Sequence, residues 1–424
     1  MTAEGRPLNV AIAGFGTVGR SVAKILCAGH HRALRLVAVC TRGPAETRRG
    51  APWVPPDVFW TGDIHDVLAR PADVIVELIG GVEPARAWIA AALESGRAVV
   101  TANKQVVAEH GSALCSLARS TGSPLRFEAA VAGAVPVILG LQDGLAGDRV
   151  TRIAGVVNGT CNFVLSRMLD GGLSLDEAVR EAQARGFAEA DPAADLDGLD
   201  ARAKLSILAA IGLGGHLPPR GIPAWTVRGV DAGDIDAAAS IGRVIRQVVW
   251  ADRPALESGA MTAGVSAALV RRDSWLGRAR GPENVVLVHG ERSGTTVFAG
   301  QGAGGDATAV AVVSDLLALA ERRSVPRPWP APSSAGPSAE PERPHYVRVS
   351  PSRTATPHDA RRLLAGAGFE LDRVLALRHD GPSRWAAVVR PCRRADLDRA
   401  LAPLLPAGSA AGTLISLPLF DAEP

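Results

Sequence analysis

The chain has 424 residues, 47% hydrophobic and 21% charged, with 46 basic and 43 acidic side chains and a formal charge of +3. That length calls for two or three domains, the apolar share excludes a wholly disordered chain, and the balanced charge asks for neither nucleic acid nor an anionic membrane as partner. No apolar run reaches the roughly 18 residues of a spanning helix, and Met1 to Pro7 lacks the basic flank and apolar region of a signal peptide. Five scattered cysteines without CxxC spacing, and nine histidines without HxH or HxxxH spacing, predict a cytoplasmic protein with no disulfide and no histidine metal site. Lysine occurs only at Lys24, Lys104 and Lys204, every other basic residue being arginine.

The first 140 residues alternate short apolar runs with helical patterns. Strands are predicted at 8–13, 34–40, 74–78 and 98–101, with a helix from about Thr17 to Ala28. Such a rhythm implies a parallel sheet covered on both faces. Gly14-Phe15-Gly16-Thr17-Val18-Gly19 follows the first strand and opens the first helix. There the glycines permit a tight turn, approach of a pyrophosphate to backbone N–H groups, and close packing of helix on strand. The second strand ends in Val39-Cys40-Thr41-Arg42-Gly43, with Arg48 and Arg49 beyond. No acid stands where an NAD binder carries one for the ribose hydroxyl, and the guanidinium groups suit a 2′-phosphate. NADP(H) is therefore preferred, with NAD(H) as the alternative. Lys104 falls at the C-terminal end of the strand at 98–101, the sheet edge where ligands bind in open α/β folds. Lys24, inside the first helix, reads as solvent-facing.

From about Thr151 the rhythm changes to longer helical patterns at 162–170, 174–185 and 198–211, with an apolar stretch near 285–288, which suggests an α+β unit. Five acids lie between Glu189 and Asp200. A helix starting near Asp197 puts Asp200 and Lys204 one turn apart on one face, beside an apolar stripe of Leu199, Ala203 and Ile207. A surface ion pair is the bland explanation; the scarcity of lysine and the density of acid argue for a site. A last long helix is predicted at 308–322, followed by a proline-rich linker over 324–344. The tail from His345 to Phe420 reads strand, helix, strand, strand, helix, strand, the ferredoxin-like order, its first helix capped by Thr356 with Pro357 at the first position.

These motifs resemble the homoserine dehydrogenase family over roughly residues 8 to 322. The likeness rests on GFGTVG at 14–19, ELIGG at 77–81, TANK at 101–104, EAAVAGAVP at 128–136, NGTCNFVLSRM at 158–168, GFAEADPAADLDGLDARAKL at 186–205 and GQGAGGDATA at 300–309. The resemblance implies reversible, NAD(P)H-dependent reduction of L-aspartate 4-semialdehyde to L-homoserine. It implies an α/β architecture with a Rossmann-type nucleotide-binding domain (1–140 with 305–323) and a central α+β catalytic and dimerisation domain (141–304). After the linker comes a C-terminal ferredoxin-like, ACT-like βαββαβ domain (345–424).

Carried over, the catalytic groups are Lys104, Lys204 and Asp200, and the substrate is bound by these with Glu189 and Asp195. The cofactor lies on Gly14, Phe15, Gly16, Thr17, Val18 and Gly19, with Arg42 and Arg48 at its phosphate. Gly80, Gly81, Thr101 and Lys104 stand at its nicotinamide side, and Gly302, Ala303 and Gly304 close over it. A monovalent cation, Na⁺ or K⁺, would sit on the backbone carbonyls of Glu128, Val131, Gly133 and Val135. A homodimer or homotetramer is implied, with a small-molecule substrate and no nucleic-acid or membrane partner. Hydride transfer to an aldehyde creates an alkoxide needing a cation and a proton, which a lysine with a lowered pKa can supply.

The chain departs from the family at Phe187, where Tyr is usual, and at Gln301 and Ala307, where Pro is common. The tail lacks the Asp-x-Pro-Gly that opens an ACT domain, carrying Val349-Ser350-Pro351-Ser352-Arg353 instead, which counts against an amino-acid effector such as threonine there. Two other readings keep the nucleotide fold: a dehydrogenase of a related amino acid or semialdehyde, and an inactive regulatory copy. The presence of Lys104, Glu189, Asp195, Asp200 and Lys204 together argues against the inactive copy.

Overall fold

The computed structural model describes residues 6–253, 261–321, 329–330, 340–349, 357–375, 385–404 and 414–421. Its first sheet holds β1 (Leu8–Ala13), β2 (Leu34–Cys40), β3 (Phe59–Thr61), β4 (Val74–Glu77), β5 (Ala98–Thr101) and β6 (Leu125–Arg126) in the order β3-β2-β1-β4-β5-β6. All five pairings are parallel. The pleat of β1 sends Val10 and Ile12 to one face, against Val22 and Leu26 of the helix Thr17–Cys27 and Val312 and Leu316 of the helix Gly305–Ala320. Ala11 and Ala13 face the other side, against Ile89 and Leu93 of the helix Ala85–Glu94 and Val106 of the helix Lys104–Thr121. The expected strands are there; β3 and β6 add three and two residues, too short to leave a pattern in the sequence.

The second sheet contains β7 (Val150–Val156), β8 (Arg243–Asp252), β9 (Thr262–Arg271), β10 (Glu283–Gly290), β11 (Gly294–Gln301), β12 (Arg343–Val349), β13 (Leu371–Leu375), β14 (Trp385–Cys392) and β15 (Leu414–Phe420), in the order β11-β10-β7-β8-β9-β15-β12-β14-β13. Strands β8 and β9 were not expected. Both are buried nearly end to end, yet carry Arg246, Gln247 and Ser266 in the interior, which interrupts the apolar runs that a sequence reading looks for. The helices Gly159–Gly171 and Leu199–Leu213 pack on this sheet. The latter has Ala203 and Ile207 inside as expected, whereas Leu199, at its first position, is 44% exposed although Asp200 and Ala201 beside it are buried.

The tail has the expected βαββαβ order, with helices Pro357–Gly366 and Arg394–Leu401 and antiparallel strands in the order β15-β12-β14-β13. Thr356 and Ser350 to Arg353 lie outside the described residues. The module is joined to the rest more closely than a linker implies. Strand β15 pairs parallel with β9 through Leu419↔Leu269 and Phe420↔Val270, so one sheet runs through both units. Within the proline-rich stretch, Trp329 is buried: its ring lies so close to Gly111 that a Cβ there would stand 2.9 Å away, and it meets Phe127 and His216 edge-on. Arg343 and Pro344 already belong to β12.

The strongest tie is polar. Asp234, fully buried on the helix Ala232–Ser240, accepts from the Tyr346 hydroxyl at 2.8 Å and from Arg348 at 2.7 and 3.1 Å. Removing one partner of a buried ion pair leaves the other charge desolvated. Asp234→Ala should therefore lower the unfolding free energy by about 3–5 kcal/mol, read from denaturant midpoints; an unchanged midpoint would show that this pair does not hold the tail.

Candidate active site

At the nucleotide loop, Gly14 adopts φ +105°, and a Cβ there would lie 2.6 Å from the Leu78 carbonyl carbon. A Cβ on Gly19 would meet the Gly14 carbonyl oxygen at 2.1 Å. Gly16, by contrast, has open space above it and caps the helix Thr17–Cys27 with no side chain accepting from the first turn. A second helix with no side-chain cap, Gly305–Ala320 behind Gly304, comes up against the first, a Cβ on Gly305 standing 2.7 Å from Thr17 Cγ2. Close packing beneath and unsatisfied amides above fit a dinucleotide pyrophosphate. Phe15 is buried edge-on against Trp60 at 5.0 Å, Thr17 is exposed and Val18 half-buried. Arg42 is exposed at the end of β2, whereas Arg48 donates to the Pro56 carbonyl at 2.8 Å.

Gly80, Gly81 and Thr101, expected at the nicotinamide side, rest on a small network. Thr101 donates to Glu77 Oε2 at 2.6 Å, Ile79 N–H donates to Glu77 Oε1 at 2.8 Å, and Asn103 Nδ2 donates to the Gly81 carbonyl at 2.6 Å. Gly80 and Gly81, both at φ +72°, thus turn over a buried carboxyl that burial pushes up and these hydrogen bonds partly restrain.

Asn103 also caps the helix that Lys104 opens. Lys104 Nζ lies 2.7 Å from Asp200 Oδ1, and Lys204 Nζ lies 2.8 Å from Asp200 Oδ2. Lys204 further donates to the Val157 carbonyl at 2.8 Å. Burial alone would push the Asp200 carboxyl up, but the two ammonium charges together outweigh it and hold it far below the usual range. The Asp200 charge raises Lys104 against the opposing effect of burial, with Asp195 and Glu189 adding to the rise. The expected lowering of a lysine pKa is therefore not found at Lys104, because the Asp200 counter-charge exceeds desolvation.

Asn158 Nδ2 donates to Asp195 Oδ1 at 2.6 Å and to Asp200 Oδ2 at 2.9 Å. Burial raises Asp195, the Asn158 bond opposes it, and the neighbouring Asp200 charge adds to the rise. Glu189 is exposed at the rim, and Phe187, 38% exposed, packs on Phe163 with ring centroids 4.9 Å apart.

The segment holding Glu128, Val131, Gly133 and Val135 winds through two consecutive positive-φ residues, Ala132 and Gly133. The Glu128 carboxylate accepts the Ile138 and Leu139 N–H groups, and burial pushes its carboxyl up to about 7. A Cβ on Gly133 would meet Gly302 at 2.8 Å, and Ala134 N–H donates to the Gln301 carbonyl, so this segment touches the loop of Gly302, Ala303 and Gly304. Gly302 lies over the Asn284 side chain, whose amide donates to the Val157 carbonyl.

The lysines and Asp200 come together as one cluster with Asp195 beside it, and Arg48, exposed like Arg42, directs one N–H at the Pro56 carbonyl. Asn158, Asn103, Glu77 and Asn284 were not singled out beforehand. Asn158 and Asn103 each precede a helix as its cap, a signal that was legible; Glu77 and Asn284 gain their roles only through tertiary contact.

A family model described as homoserine dehydrogenase matches residues 136–317, and one described as homoserine dehydrogenase, NAD binding domain, matches residues 14–128. A homoserine dehydrogenase of Synechocystis sp. is 39% identical over 317 residues, 73% of this chain and 72% of that protein. One of Mycobacterium tuberculosis is 39% identical over 328 residues, 76% and 74% of the two. Among solved structures, a homoserine dehydrogenase from Thiobacillus denitrificans matches at TM-score 0.85 and 30% identity over 98% of each chain. A hyperthermophilic archaeal homoserine dehydrogenase in complex with NADPH matches at 0.64 and 26% identity, over 76% of this chain and 100% of that one.

The ion cluster has a defined pH signature. Lys104, raised above 10.5, contributes stability that is complete below that value and lost as pH climbs through the raised one. Asp200, lowered from 3.8, contributes stability present above that value and lost as pH falls through the lowered one. Asp200→Asn should therefore move the Lys104 titration downward. Three lysines make this readable by NMR of ε-labelled lysine; an unmoved Lys104 resonance would refute the counter-charge argument.

Proposed function

The chain belongs to the homoserine dehydrogenase family, and from that premise we propose how its own residues carry the family's reversible, NAD(P)-dependent reduction of L-aspartate 4-semialdehyde to L-homoserine. The observation that carries the assignment is the Asp200 carboxylate held between Lys104 and Lys204. The adjoining Gly80–Gly81 turn is tied to Lys104 through Asn103.

A nicotinamide cofactor in the glycine cradle supplies or accepts the hydride. Every remaining task falls to side chains. An ammonium has three N–H donors; Lys204 directs one at Asp200 and one at Val157, which leaves one for the substrate oxygen. On reduction, Lys204 gives that proton to the oxygen as negative charge develops; on oxidation it recovers the proton from the hydroxyl. Lys104, bound to the opposite oxygen of Asp200, steadies the same developing charge. Glu189 and Asp195 receive the substrate α-ammonium, and the raised Lys104 pKa keeps its charge at neutral pH.

The exposed Arg42 is assigned to the ribose 2′-phosphate, which favours NADP(H); Arg48 buttresses that loop through Pro56. Carbonyl oxygens are a suitable donor set for a hard cation, and we assign a Na⁺ or K⁺ to those of Glu128, Val131, Gly133 and Val135, on a segment that turns sharply at Ala132–Gly133. A cytoplasmic homodimer or homotetramer completes the reading. We divide the chain as 1–140 with 305–323, 141–304, and the tail from 345, with the linker ending inside β12. No observation favours a related semialdehyde or an inactive copy.

Lys204→Ala and Lys104→Ala should each lower turnover about a hundredfold or more while NADPH binding, followed by fluorescence titration, is retained. Near-normal turnover in either would sink the assignment. Separately, Arg42→Ala should reduce the NADPH-over-NADH ratio of kcat/KM about tenfold, as loss of a charged hydrogen bond does; an unchanged ratio places the phosphate elsewhere.

A further inference from the structure

Asn158 occupies an unusual position. It is 2% exposed and stands between two carboxylates, neither of which it needs for its own fold. As cap of the helix Gly159–Gly171, its Oδ1 accepts the Cys161 N–H at 2.8 Å. That bond settles which way the amide faces: turned over, its oxygen would point at Asp195 and Asp200, and the helix would lose its cap. The amide nitrogen therefore has one direction open to it, toward Asp195 at 2.6 Å and Asp200 at 2.9 Å. The Asp195 main chain is fixed independently, its carbonyl accepting from Gln247 Nε2 at 2.9 Å and from the Cys161 thiol at 3.2 Å. The Asp195 backbone is thus held in place, and the Asn158 amide is what orients its carboxylate.

We infer that Asn158 is a positioning residue for the reaction: its carboxamide keeps Asp200 for the two lysines and leaves Asp195 ionised for the substrate ammonium. This rests on the substrate-binding role proposed above for Asp195. Two half- or fully-buried carboxylates sharing a site repel, and one tends to take up a proton. A donor shared between them offsets that repulsion without adding charge. A lysine or arginine here would also offset it, but would compete with the substrate ammonium for Asp195. Neutral asparagine screens the pair and leaves the charge of Asp195 unpaired.

The groups acting on Asp195 come from every neighbouring element. Asp200 and Lys204 act from the helix Leu199–Leu213, and Thr160 and Cys161 from the helix Gly159–Gly171. Lys104 acts from the helix Lys104–Thr121, Gln247 from β8, and the Asp197–Arg228 pair lies further out. Among these, Lys204 and Lys104 already hold Asp200. Loss of the amide donor should raise Asp195 until, at mildly acid pH, it binds a proton and no longer attracts the amino-acid ammonium.

The test separates this from a purely structural role, because Asn158→Asp and Asn158→Ser both retain a helix-capping oxygen, while the aspartate has no donor and the shorter serine has one O–H in place of the two amide N–H groups. Steady-state kinetics are run on the full-length enzyme with homoserine and NADP⁺ across pH, with thermal midpoints and NADPH binding as controls. The expected result is a rise of about tenfold or more in KM for homoserine with a smaller change in kcat. The acid limb of kcat/KM should shift upward by about one pH unit, more in the aspartate variant than in the serine one. NADPH affinity should be unchanged. A KM and acid limb matching the wild type in both variants would overturn the inference, and so would a fall in kcat and thermal midpoint with the acid limb unmoved. Failure of the underlying reading shows elsewhere, as activity surviving in Lys104→Ala or Lys204→Ala whatever the Asn158 variants do.

Discussion

A carboxylate sealed in the interior, with an ammonium on each of its oxygens, is the interaction on which this molecule depends. Taking Asp200 out of water costs several kcal/mol, and the cost is offset only because Lys104, Lys204 and the Asn158 amide converge on it. Those partners come from different places. Lys104 opens a helix that follows β5 of the parallel sheet, while Lys204 and Asn158 belong to helices packed on the second sheet. The ion cluster is therefore also a joint between the nucleotide-binding and catalytic parts. The catalytic part supplies Lys204 and the Asn158 amide, and the nucleotide-binding part adds the second ammonium, so the full cluster is assembled only where the two meet.

Glycine is demanded along this joint for a related reason. Gly302 lies on Asn284, and Asn284 and Lys204 both donate to the Val157 carbonyl. Gly133 presses on Gly302 from the other side. A side chain at Gly302 would overlap the Asn284 amide, a Cβ standing 1.9 Å from its carbonyl carbon. The loop that leads into the second uncapped helix and Lys204 thus share one floor of backbone and amide. Displacement of that loop bears on Lys204 through two contacts, and Val157 is the common point.

The parallel sheet and its glycine loop were legible because their signals are local: apolar runs, the GFGTVG spacing, and the turn from β1 into a helix. Asp200 and Lys204 were legible as an i,i+4 pair, and Lys104 as a residue at a strand's C-terminal end. What local pattern could not carry was that Lys104 and Lys204 share one carboxylate, because Asp200 lies 96 positions beyond Lys104 in the chain. The sign of the Lys104 shift followed from that missing contact. Strands β8 and β9 escaped for another reason: Arg246, Gln247 and Ser266 are buried by the sheet's surroundings, and a sequence reading takes such residues as surface. Phe187, where the family has Tyr, keeps its ring packing on Phe163 without a hydroxyl, so the departure alters polarity at the rim and leaves the packing in place.

The tail raises the question of what a ferredoxin-like module can do once it has been built into its neighbour's sheet. Modules of this shape, when hung on a flexible linker, can signal by moving as a body. Here β15 continues the sheet from β9, Trp329 is seated on Gly111, and Asp234 holds Arg348 and Tyr346 in the interior. Swinging the module away would expose those apolar surfaces and leave Arg348 and Asp234 each without its counter-charge. That penalty is of the same order as the stability of a whole domain. Any influence of the tail on the site must therefore pass as a small displacement through packed elements. Two routes are open to it: the helix Ala232–Ser240 and strand β8, which reaches Asp195 through Gln247, and the helix Lys104–Thr121 beneath Trp329. Both end at residues that set the charge of the ion cluster, one at Asp195 and the other at Lys104.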